Sequence, residues 1–189
     1  MAVLIEGYSV IINKAQAMKN QKALSTLASV EGTLHPMAIC SDEGLLRIGF
    51  MDMRDANEFV MALESAGLCY KCTENGEEAA KDIAMVTQFG EIEVPCPWLN
   101  VQFTKLKDDT LICLASLQSE ENVSGVAFPK GWDLNISMLK RFYEERTHYM
   151  QDNYELVREE PMHDIYQNKD NGQELRLLKL KFSGDTEKS

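Results

Sequence analysis

Two cysteines three positions apart, in Cys69-Tyr70-Lys71-Cys72, form the sharpest chemical motif in the chain. That gap serves structural zinc or thiol redox chemistry, because both sulfurs of such a turn can meet one metal ion or each other. A zinc site needs two more ligands, and Cys40, Cys96 and His35 each stand alone along the chain. A thioredoxin-type pair begins a helix, whose dipole lowers the thiol pKa. This pair instead follows a helical stretch, and on a strand its two side chains would point to opposite faces. The sequence therefore reads Cys40, Cys69, Cys72, Cys96 and Cys113 as free thiols, mostly buried, of a reducing cytoplasm.

Other chemistry has weaker support. His35, His148 and His163 are scattered, and no spacing joins any of them to a nucleophile or an orienting carboxylate. Glu91, Glu93, Asp108 and Asp109 are carboxylates of acid/base or metal type, but Asp108 and Asp109 fall in a turn that favours Asp for local hydrogen bonds. The glycines match neither phosphate-binding spacing, G-x-G-x-x-G or G-x-x-x-x-G-K-[ST]. No catalytic, metal-ligating or cofactor-binding residue is assigned on this basis, and no cofactor is expected.

Recognition chemistry is better represented. Arg141, Tyr143, Arg146, Tyr149 and Tyr154 cluster in one segment and are types that interfaces favour, although they could equally pack a helix onto a sheet. Cys96, Trp98 and Trp132 lie in loop-like segments and could line a pocket between a sheet and the 95–132 loops; anchoring of those loops is the plainer reading. The formal net charge of −11 repels a phosphate backbone, which argues against nucleic acid and points to a basic protein partner. Met1 to Glu6 lacks the basic start of a signal peptide, and no run approaches the ~20 apolar residues that span a bilayer, so no membrane partner is expected.

The elements that must hold these residues follow from periodicity. Residues 2–12 are apolar and β-branched and read as one central strand. Asn13 caps a helix with a loose apolar stripe that stops near Gly32. Met37 to Cys40 and Leu45 to Met51 flank a hairpin turn at Ser41-Asp42-Glu43-Gly44. Asp52 caps a helix from Met53 to Ala66, where Ala56, Phe59, Val60, Leu63 and Ala66 repeat at helical spacing before Gly67. Strands follow at Leu68 to Thr73 and Ile83 to Gln88, and the first six elements have the βαββαβ order of a ferredoxin-like sheet with both helices on one face.

Beyond the bend at Pro95-Cys96-Pro97, alternation marks a strand from Leu99 to Phe103, and a second strand runs from Thr110 to Leu117. A helix is expected from Ser137 to Met150, then a hairpin of 163–168 and 174–182 across Asn171-Gly172. The whole reads as one α+β domain, 1–182, with possible sub-lobes 1–93 and 94–182 and a disordered tail at 183–189; its sheets are antiparallel or mixed.

Three stretches together resemble a family of small bacterial proteins: Met1-Ala2-Val3-Leu4-Ile5-Glu6, Leu46-Arg47-Ile48-Gly49-Phe50-Met51 with the following helix, and Pro95-Cys96-Pro97-Trp98-Leu99. No activity is attached to that family, so the resemblance implies none. The helix pattern Phe59-Val60-x-x-Leu63-Glu64-x-x-Gly67 is similar to one in the vicinal-oxygen-chelate fold, which would imply a metal held by His and Glu on strands. Glu6 is the one such residue on the first strand, and His163 is distant in sequence.

The function expected is a non-enzymatic, acidic binding protein of regulatory or immunity type. The alternatives are a small-molecule or metal-dependent enzyme with the 95–132 pocket, and self-association through exposed strands.

Overall fold

The computed structural model describes residues 1–74, 76–120 and 123–179. The apolar opening is two strands, β1 (Ala2–Ile5) and β2 (Tyr8–Asn13), which enter different sheets. The break falls at Gly7, where φ is +57° and a Cβ would lie 2.4 Å from the Phe50 carbonyl oxygen, so only glycine fits the turn.

The helix expected from Asn13 to Gly32 is also divided, into α1 (Lys14–Ala17) and α2 (Gln21–Glu31). Asn13 caps the first, and Asn20 caps the second by accepting from the amides of Lys22 and Ala23. The Asn20 amide also donates to the Ala66 carbonyl at 3.1 Å, so a long-range tie holds the break open. Next come β3 (Ile39–Ser41) and β4 (Leu45–Phe50), joined where the Asp42 carboxylate accepts from Gly44 and Leu45 N–H at 2.8 and 2.7 Å. The helix α3 (Met53–Ser65) is capped by Asp52, buries Ala56, Phe59, Val60 and Leu63, and is followed by Gly67 at φ +99°.

After α3 the chain forms β5 (Lys71–Glu74), β6 (Glu77–Ala80) and β7 (Ile83–Thr87). The first sheet has the order β3-β4-β2-β7 and is antiparallel throughout, with α2 crossing from β2 to β3 and α3 from β4 towards β7. Its fourth strand is thus Ile83–Thr87, while 71–74, expected to fill the sixth place in the order, pairs among the described residues with β6 alone. Burial explains the choice. Ile83 to Val86 are buried on both faces beside β2, a position in which the charged and polar Lys71-Cys72-Thr73 would lose hydration.

The second sheet comprises β1, β8 (Leu99–Lys105), β9 (Leu111–Leu117) and β10 (Val126–Ala127) in the order β10-β1-β9-β8, parallel only between β1 and β10. Val3, Ile5, Leu99, Cys113 and Ala115 of this sheet share one apolar core with β2, β4, β7 and α3. A smaller cluster of Ala2, Leu4, Ile112, Leu114 and Leu139 lies on the other side of β1, with Trp132 packed against it. The helix α4 (Met138–Asn153), capped by Ser137, leads into a third, antiparallel sheet of β11 (Tyr154–Glu159), β12 (His163–Asn168) and β13 (Glu174–Leu178). The chain is α+β, and no helix among the described residues is long and apolar enough to cross a membrane. The expected tail at 183–189 lies outside the described residues, as do positions 180–182 of the last expected strand.

Candidate binding site around Tyr8

The turn at Glu6-Gly7 is built from buried polar groups. Glu6 and Arg47 are both wholly buried and form an ion pair with Nη2 2.9 Å from Oε2. Arg47 also donates to the Leu4 carbonyl at 2.7 Å and the Ala38 carbonyl at 3.2 Å, binding β1 to β4 and the turn before β3. The other Glu6 oxygen accepts from the Trp132 indole N–H at 2.9 Å and from the Leu139 amide in the first turn of α4 at 3.2 Å. Gln88 closes the opposite side: its Oε1 accepts from Gly7 N–H at 2.9 Å and its Nε2 donates to the Leu139 carbonyl at 3.1 Å. A buried charge pair is tolerable only when its remaining donors and acceptors are matched, as they are here. The metal arrangement that the chelate-fold similarity implies has no place at Glu6, whose two oxygens already serve Arg47, Trp132 and Leu139.

This junction sets Tyr8, the first residue of β2, between two depressions. One is an apolar cavity of about 210 Å³ lined by Tyr8, Met53, Met85, Val86, Ile92 and the carboxylate-bearing Glu91 and Glu93. Its outer wall is the segment 91–93, held to β7 by the Val86–Ile92 bridge and by the Thr87 amide donating to the Glu91 carbonyl at 2.9 Å. The second, about 170 Å³, is lined by Tyr8, Met51, Phe142, Glu145, Arg146 and Tyr149. Tyr8 stacks edge-on against Phe142 with centroids 5.0 Å apart, and the Arg146 guanidinium lies over the Tyr149 ring at 5.8 Å. The Arg146 Nε–H is buried without an acceptor among the described residues.

The segment from Cys69 to Cys72 supports the outer wall. The Tyr70 hydroxyl donates to Glu93 Oε2 at 3.1 Å, and Lys71 Nζ lies 2.9 Å from Glu93 Oε1. Burial, then the neighbouring Glu93 carboxylate, pushes the Tyr70 phenol up; the hydrogen bond to Glu93 raises Lys71.

The expected residues distribute as follows. Arg146 and Tyr149 line the second depression, Tyr154 lies 6.1 Å from Tyr149 by ring centroids, and Arg141 and Tyr143 are on the same helix, the former exposed. Cys96, Trp98 and Trp132 do not converge. Trp98 packs on the main core and donates to the Ala80 carbonyl at 3.1 Å, while Trp132 lies at the small cluster and bonds Glu6. Glu91 and Glu93 are at the cavity mouth, whereas Asp109 lines a separate groove with Lys105, Pro161, Met162 and Lys179. In that groove the cations are already paired, Lys105 with Asp109 at 3.6 Å and Lys179 with Asp164 at 3.0 Å.

The cysteine expectation is corrected in one respect: Cys69 and Cys72 form a disulfide. Cys69 and Tyr70 precede β5 in a bend, so strand alternation does not separate the sulfurs. Cys40, Cys96 and Cys113 are free thiols; burial raises Cys40, pushes Cys96 up to about 11 and Cys113 up to about 12.

Sequence reasoning missed Tyr8, because a tyrosine opening an apolar strand reads as core. Comparison with protein-family models, curated proteins and solved structures finds no match to this chain.

Proposed function

We propose that this chain is a non-enzymatic recognition module for a basic protein segment that carries one large apolar side chain. The observation that supports this most directly is the Tyr8 cavity, whose apolar walls of Met53, Met85 and Ile92 are rimmed by Glu91 and Glu93. Its volume of about 210 Å³ suits one leucine-, methionine- or phenylalanine-sized side chain. A drug-sized ligand needs roughly 300 Å³ or more, which favours a side-chain anchor over a small-molecule substrate. Lys or Arg flanking the anchor would meet Glu91 within a chain of net charge −11, Glu93 being held by Tyr70 and Lys71.

A displayed library of random peptides selected on the native protein tests this reading. Enriched sequences should carry an apolar anchor between basic residues, and their binding should weaken as salt rises. Met53 is 47% exposed and opens α3, where a cation opposes the helix dipole, so Met53→Lys should leave folding within about 1 kcal/mol of wild type. It should nevertheless weaken peptide binding about tenfold or more, because it brings a cation into an acidic, apolar mouth. Enrichment of acidic peptides, or unchanged binding by Met53→Lys, would overturn the proposal.

A further inference from the structure

We infer that Cys69 and Cys72 are a reversible redox site that exchanges with low-molecular-weight disulfides and governs how firmly Glu93 is held at the Tyr8 cavity. Both cysteines are half-buried, as is the unpaired Cys96, and within reach of a small reagent, whereas Cys40 and Cys113 are buried. Each has its resolving partner in place, the arrangement of thiols that cycle rather than accumulate adducts. The bond closes a ring of only four residues, so it constrains the unfolded chain far less than a long-range disulfide would. Its local effect is larger. The two enclosed residues, Tyr70 and Lys71, hold one oxygen each of Glu93. The base of the same turn is fixed to the β6–β7 connection, with Cys69 N–H donating to the Asp82 carboxylate at 2.8 Å and Asp82 N–H donating to the Cys69 carbonyl at 2.9 Å. The backbone beyond the base is tied as well, with Lys81 N–H donating to the Tyr70 carbonyl at 3.2 Å and Lys71 paired with Ala80, so closing the ring acts on the remaining torsions that aim the phenol and the ammonium at Glu93.

The chemistry balances with a disulfide RSSR as oxidant. One cysteine thiolate attacks a sulfur of RSSR, making a mixed disulfide and expelling RS⁻. The second thiolate then attacks the cysteine sulfur of that mixed disulfide, making the Cys69–Cys72 bond and expelling another RS⁻. The two thiol protons pass to the two released thiolates, giving two RSH; the protein loses two electrons and RSSR gains them.

The native protein is equilibrated in a graded series of reduced and oxidised glutathione, quenched, alkylated and mapped by mass spectrometry. In parallel, hydrogen exchange is followed across 83–94. The expected result is an intramolecular Cys69–Cys72 bond that forms and reopens without denaturant while Cys40 and Cys113 stay unmodified. Amides of 91–93 should exchange at least about threefold faster in the reduced protein. The Cys69→Ser/Cys72→Ser double variant, which keeps the half-buried free thiol Cys96, should match the reduced wild type in exchange at 91–93 whatever the glutathione ratio. A pair that stays reduced throughout, one that stops at glutathione adducts, or one that opens only in denaturant would overturn the redox site. Cycling without any change in exchange at 91–93 would overturn the coupling to Glu93. The gate's purpose rests on the docking reading, but no partner is present in the experiment, so the two fail separately.

Discussion

Replacing Arg47 by methionine removes a side chain that is wholly buried and makes three hydrogen bonds, to Leu4, Ala38 and Glu6. The methionine roughly fills the space, so lost packing is minor and the cost is electrostatic. Glu6 would keep its contacts to Trp132 and Leu139 but remain a buried carboxylate without its countercharge. Breaking one side of such a pair costs about 3–5 kcal/mol. For a domain of this size each kcal/mol lowers the melting temperature by about 2–4 °C, so a fall of about 6–20 °C is expected. The informative comparison adds Glu6→Gln, which keeps a carbonyl acceptor for Trp132 and Leu139 and removes the stranded charge. Arg47→Met/Glu6→Gln should recover about 1–3 kcal/mol relative to Arg47→Met alone. Urea unfolding followed by tryptophan fluorescence measures this, with Trp132 reporting on the Glu6 contact itself. A cost below about 1 kcal/mol for Arg47→Met, or strict additivity of the two substitutions, would refute the claim that this pair holds the two sheets together.

Two further outcomes follow from the same geometry. Gly7→Ala should cost about 1–3 kcal/mol for its left-handed backbone alone, and more from the 2.4 Å approach of the new Cβ to the Phe50 carbonyl oxygen, measured by thermal unfolding. Tyr70 holds its proton more tightly in the folded state, through burial and then Glu93. Its contribution should therefore be complete below the ordinary tyrosine pKa of about 10 and be lost as pH rises above it. Tyr70→Phe should flatten that alkaline decline in urea unfolding run at pH values on either side of about 10, and an unchanged slope would show that the decline comes from elsewhere.

Much of the local structure was legible in the chain. Helix α3 shows its full grammar, with Asp52 to cap it, apolar residues at helical spacing and Gly67 to end it, and each acts within a few residues. The hairpins at Asp42 and at Asn171-Gly172 were readable for the same reason: side-chain acceptors and positive-φ glycine bend the backbone locally. Tyrosines and arginines of α4 could be flagged by type, and Arg146 and Tyr149 among them line the depression beside Tyr8.

What escaped the sequence depended on distant partners. A run of apolar residues from Ala2 to Ile12 looks like one buried strand, since periodicity cannot tell one sheet from two when both faces are covered. Gly7 becomes a turn only because Phe50 and Gln88 close around it. Glu6 reads as a stray carboxylate until Arg47, 41 residues away, and Trp132, 126 residues away, meet it. The fourth strand of the first sheet was likewise settled by competition for the edge of β2, where buried Ile83 to Val86 lose nothing and charged Lys71 would lose its water. Local hydrogen bonding and side-chain spacing are written in the sequence by itself. Pairing between segments is chosen by burial and by the matching of buried charges, which exist only once the chain has folded.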